Sequence, residues 1–94
     1  MTVTVQIGNS DDKLTQGQWS DFVNDIDTAI ITHRSIIHFK SGSHTELPWQ
    51  NYCWVFQLPI DVRDSGALYQ SIKNIRQMYN QDSAAWTEGE TIFI

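Results

Sequence analysis

The sequence predicts an α+β fold of the ferredoxin-like kind, in which an antiparallel sheet of four strands carries two helices on one face. Three observations lead there. Two stretches, Thr2 to Ile7 and Tyr52 to Leu58, alternate in side-chain character with period two. Two others, from Trp19 and from Leu68, repeat apolar residues at three- and four-residue steps. Read in order, the elements run strand, helix, strand, strand, helix, strand, the split βαβ arrangement. The 94 residues, 40% of them apolar, fit one compact domain, 1–94, with no linker or repeat.

The first strand sets Val3, Val5 and Ile7 against Thr2, Thr4 and Gln6 and stops at Gly8. Gly8 to Asp12 is turn chemistry, and Thr15 with Gln18 has the spacing of a capping box, so the first helix starts there. Trp19, Phe22, Val23, Ile26, Ala29 and Ile30 form its apolar stripe, to about His33. A second strand places Ser35, Ile37 and Phe39 on one face and Ile36, His38 and Lys40 on the other. A long polar hairpin, Ser41 to Asn51, leads to the central strand, with Tyr52, Trp54, Phe56 and Leu58 facing inward. Asp61, Asp64 and Ser65 are candidate caps of the second helix, whose stripe is Leu68, Ile72, Ile75 and Tyr79. Asn80 and Gln81 end it. The last strand is expected at Thr91–Ile94. The alternative is that Ser83 to Thr87 is itself a strand, which carries Glu88 toward the other end of the sheet.

Composition narrows the function. A net charge of −5 without a basic cluster argues against nucleic-acid binding, and eleven scattered carboxylates make a poor mimic of a phosphate stripe. Cys53 is alone, so no intrachain disulfide forms, and its apolar strand setting suits a small buried hydrophobe. Met1 to Val5 lacks the positive region and apolar helix of a signal peptide and no apolar run approaches membrane length, so a cytoplasmic location is expected.

In the expected topology three connections share one end of the sheet: Gly8 to Lys13, Ser41 to Asn51, and Asp82 to Glu90. They supply Asn9, Ser10, Asp11, Asp12, Lys13, Ser43, His44, Pro48, Trp49, Trp86, Thr87 and Glu88, a mixture of rings, amides, hydroxyls and charges suited to a ligand pocket or a protein-contact patch. The opposing reading is ordinary turn chemistry with two tryptophans closing the core.

At these same segments the chain resembles a group of small bacteriophage proteins. The similar stretches are Ile7-Gly8-Asn9-Ser10-Asp11-Asp12-Lys13-Leu14-Thr15, Leu47-Pro48-Trp49-Gln50-Asn51 and Trp86-Thr87-Glu88-Gly89-Glu90-Thr91. The resemblance covers nearly the whole length, and none of the stretches is a catalytic motif. It implies a phage-encoded accessory protein acting in the bacterial host cytoplasm, where such proteins counter host defence by binding a host protein or sequestering a nucleotide signal.

Other chemistry is weaker. His33, His38 and His44 are spread over a helix end, a strand and the hairpin, so no metal site is expected. No Gly-x-Ser-x-Gly elbow exists, and a triad of Ser10 or Ser43 with His44 and Asp11 or Asp12 can be drawn at almost any polar end. A phosphate at the first helix start would have Lys13 to favour it but Asp11 and Asp12 to oppose it. A ribose or base stacking on Trp49 or Trp86 fits better. The open sheet face, with Ile36, Val55 and Phe93 among Thr4, Gln6 and His38, is apolar enough to suggest a homo-oligomer. The leading expectation is a non-enzymatic protein, without cofactor, that holds a nucleotide-like ligand at the three-loop end. The alternative is a protein inhibitor of a host enzyme using that end or the open face, and a small hydrolase ranks third.

Overall fold

Val3, Val5 and Ile7 are buried while Gln6 between them is exposed, so the first strand keeps its dry side toward a single layer of helices. The computed structural model describes residues 1–9, 13–43, 50–59, 62–90, 92 and 94, with the side chains of 62–65 left aside. Its elements are β1 (Thr2–Gly8), α1 (Gln16–Thr32), β2 (Ile36–Gly42), β3 (Asn51–Gln57), α2 (Val62–Met78) and β4 (Ala84–Gly89). The sheet order is β2-β3-β1-β4, antiparallel at every pairing, which is the ferredoxin-like βαββαβ fold. Trp54 and Phe56 of β3 join Phe22, Ile26 and Ile30 of α1 and Leu68 and Ile72 of α2 in the core.

Helix ends follow the local chemistry. Thr15 Oγ1 accepts from the Gln18 amide while Gln18 Oε1 accepts from the Thr15 amide, so the expected capping box closes. At the end of α2, Asn80 takes a left-handed backbone (φ 54°), which asparagine tolerates better than most residues. The Gln81 amide then reaches back to the Arg76 carbonyl, a Schellman-type closure. Of the proposed caps for α2, Asp61 lies outside the described residues, and Asp64 and Ser65 fall inside the helix.

Two expectations need correction. In β2 the register slips between Ile37 and Phe39. An irregularity of this kind reverses the faces beyond it. Phe39, expected inside, pairs with Val55 on the open face and is 54% exposed, whereas Lys40, opposite Trp54, turns to the helix side and meets Asp27 of α1. Gly42, the last residue of β2, leaves room for the Tyr52 ring, since a Cβ there would come within 2.6 Å of it.

The fourth strand is Ala84–Gly89, near the alternative of Ser83 to Thr87 but continuing through Glu88 and Gly89, in place of the expected Thr91–Ile94. Only residues 81–83 separate it from the turn that ends α2. A connection this short brings Ala84 opposite Ile7 at once, and Ile92 and Ile94 lie outside the strand and exposed. Thr91 and Phe93 lie outside the described residues.

Candidate functional site

Three connections do gather at one pole, the end of the sheet marked by Gly8, Gly42, Asn51 and Ala84. The side chain of Asn9 ties the first to the second. Its Nδ2 donates to the Leu14 carbonyl and to Gln50 Oε1, each at 3.0 Å, and its Oδ1 accepts from the Leu14 amide at 2.9 Å. The Asn9 amide also donates to the Gln50 carbonyl. Gln50 is buried and passes the network on, Nε2 donating to Gln16 Oε1 at 2.8 Å. Lys13 ties the first connection to the third through an ion pair with Asp82 at 3.2 Å. Ser43 closes the β2–β3 hairpin: its Oγ accepts from the Asn51 amide and its own amide donates to the Asn51 carbonyl.

These bonds are satisfied within the chain, so Asn9, Lys13 and Ser43 hold the pole together. Ser10, Asp11, Asp12, His44, Pro48 and Trp49 lie outside the described residues. Trp86, Thr87 and Glu88 are not loop residues as expected. The β1–β4 register places Trp86 opposite Val5, Thr87 opposite Thr4 and Glu88 opposite Val3, so they run from mid-sheet toward the far end. A three-residue turn leaves no length for them at the pole.

Trp86 nevertheless lines a groove of about 410 Å³ between α2 and β4. Its volume falls in the range of small-molecule sites. Val5 and Ile72 line its apolar part, Tyr69, Lys73 and Arg76 come from α2, and Asp82 to Trp86 complete it. The groove follows from side-chain size: on the helix side of β4, Ala84 is small where Trp86, two residues along, is large. Trp86 is held edge-on between Phe56 of the core (centroids 6.3 Å apart) and Tyr69 (5.5 Å). Its indole N–H donates to Glu88 Oε2 along the strand.

Tyr69, Lys73 and Arg76 stand at i, i+4 and i+7 and therefore share one face of α2, with Arg76 about 10 Å along the axis from Tyr69. One nitrogen of Arg76 donates to the Gln81 carbonyl at 3.0 Å, with the Asp82 carbonyl at 3.5 Å, which anchors the guanidinium against the turn. Among the described residues neither Lys73 nor Arg76 makes an ion pair, while Lys13 and Lys40 each have a carboxylate. In a chain of net charge −5 the groove is thus locally cationic, its one described carboxylate, Asp82, already matched by Lys13. Sequence reading missed Tyr69, Lys73 and Arg76. The signal was there as a ring and two cations in helical register beside the apolar stripe.

Elsewhere, Tyr79 Oη donates to Asp25 Oδ2 at 2.6 Å and joins the two helices. That bond to the carboxylate, with burial and the charges of Asp25 and Asp21, pushes the phenol up to about 12. His33 Nδ1 is 2.7 Å from the Ala29 carbonyl and His38 Nε2 is 3.4 Å from Gln57 Oε1. Among the described residues no three His, Cys, Asp or Glu side chains converge, and no helix is long and apolar enough to cross a membrane.

No family model and no curated protein matches the sequence. Among solved structures, a formyltetrahydrofolate deformylase from Pseudomonas putida KT2440 is similar over 94% of this chain, with a TM-score of 0.61 and 11% identity. The chain spans 28% of that enzyme's length. At this identity the likeness is one of fold, and a shared fold does not transfer an activity.

Proposed function

We propose that the protein is a non-enzymatic binding protein that sequesters a small nucleotide-like ligand, and that the ligand sits in the α2–β4 groove. One observation carries the reading: two aromatic rings at one end of a concave site, with two cations farther along α2 that have no carboxylate partner among the described residues. A base or similar ring packs against Trp86 and Tyr69, and the phosphates meet Lys73 and the anchored Arg76. The separation along α2 suits a ligand whose ring and anionic group lie at opposite ends. In the setting that the phage resemblance implies, an infected bacterial cytoplasm, such binding would withdraw a nucleotide signal from host defence. The likeness to part of an enzyme brings no activity to this reading, which assigns the groove to capture without turnover.

Calorimetric titration with cyclic nucleotides and ADP-ribose derivatives tests it. Each lost phosphate or stacking contact is worth about 1.5–3 kcal/mol, so Lys73→Glu and Trp86→Ala should each weaken binding by about 10- to 100-fold. The ligand should be recovered chemically unchanged. If nothing in the series binds, or the variants bind as the parent does, the reading is lost. The alternative, a protein inhibitor of a host enzyme, draws support from β4, an edge strand that among the described residues pairs only with β1. Displacement of a captured host protein by a peptide of strand β4, with no nucleotide bound, would favour it.

A further inference from the structure

The sheet face turned away from the helices has an unusual composition for this chain. Cross-strand pairing assigns to it Thr2, Thr4 and Gln6 of β1, their partners Cys53, Val55 and Gln57 of β3, and Ala85 and Thr87 of β4. The register slip in β2 adds Ile36, Phe39 and Ser41, and His38 reaches over to Gln57. Among the described residues of this face there is no Asp, Glu, Lys or Arg, although the chain holds 17 of them. Its apolar part is Phe39 and Ile36 of the edge strand β2 beside Val55 of β3, 54% exposed at Phe39 and 63% at Ile36.

We infer that this face is where a second copy of the chain docks, forming a sheet-on-sheet dimer. Charge decides the occupant. Two molecules of net charge −5 repel wherever acidic surfaces meet, and this face lets them approach without placing like charges together. A cationic partner would find no carboxylate on it to pair with. Size is consistent with the same occupant. Four strands of six to seven residues span roughly 19 by 22 Å, about 400 Å² in projection per copy. Side-chain relief brings the total buried by two copies to about 1,000 Å², the threshold for specific association. The apolar residues lie toward the β2 edge of the face and the threonines of β1 and β4 toward the other, so the face has a dry half and a wetter half. The groove lies on the other side of the sheet, so this inference does not depend on the ligand reading.

Cys53 provides a probe already in place, since it is half-buried on this face between Gln6 and Ser41. Light scattering coupled to size exclusion should give twice the chain mass, and Cys53 should react with a thiol reagent about tenfold more slowly at high protein concentration than after dilution. Phe39→Asp should halve the mass and abolish the concentration dependence. Thr4→Lys, a change at an already wet strand position, should do the same if Phe39→Asp fails to fold. Ile31→Asp, an exposed apolar position on α1, should leave the dimer intact. A single-chain mass at every concentration overturns the inference. So does a dimer that survives both open-face substitutions, or one that Ile31→Asp dissociates.

Discussion

Asn9 was expected to touch a ligand, and the structure gives it a different task whose size can be worked out. Asn9→Ala removes three side-chain hydrogen bonds at once, two to the Leu14 backbone and one to Gln50 Oε1. Gln50 is only 5% exposed, so its carbonyl oxygen loses a donor where water has little access. At about 1 kcal/mol per bond, plus the cost of a stranded buried acceptor, the loss should be roughly 3 kcal/mol. For a chain of this size that lowers the melting midpoint by roughly 10–20 °C. Asn9→Asp should cost nearly as much, because a carboxylate still accepts from the Leu14 amide but cannot donate to the Leu14 carbonyl or to Gln50. Thermal and urea unfolding followed by circular dichroism measure both. A loss under about 1 kcal/mol for Asn9→Ala would refute the latch.

Two further outcomes concern bonds that join separate elements. Asp27 Oδ1 accepts from the indole of the fully buried Trp54 and pairs with Lys40, so Asp27→Ala should destabilise by about 1–3 kcal/mol, with Asp27→Asn recovering most of it in urea melts. Tyr79 has its folded pKa raised from 10.0 to about 12, so its contribution is complete below pH 10 and lost as the pH climbs through 12. The bond is near the surface, which limits that contribution to about 1 kcal/mol. Tyr79→Phe should therefore be less stable than the parent at pH 8, with the gap closing between pH 10 and 12. A gap that stays constant across that window would contradict the assignment of this stability to the phenol's bond to Asp25.

Much of the fold was legible because its signals are local and repeated. The alternation at Val3, Val5 and Ile7, the Thr15–Gln18 box and the stripe through Leu68 and Ile72 each stand on neighbours in sequence. What could not be read depended on register. The slip that sends Phe39 outward involves a single residue of β2 with no glycine or proline to announce it. Thr91–Ile94 looks more like a strand than Ala84–Gly89, but a short turn after α2 decides which of them reaches β1. The strand order brings the ends of three connections to one pole, but the third is residues 81–83 and not Asp82 to Glu90, and the bonds described there bind the pole to itself. The groove escaped notice because Tyr69, Lys73 and Arg76 read as the solvated side of a helix until β4 is laid beside them.

The ligand site can be located by recording amide and indole resonances of the ¹⁵N-labelled protein during titration with the nucleotide series. Binding in the α2–β4 groove predicts saturable shifts at the Trp86 indole N–H and the amides of Lys73 and Arg76, with the Asn9 side-chain amide unmoved. Shifts centred on Asn9 and Gln50, or no shift at Trp86 at any ligand concentration, would contradict it.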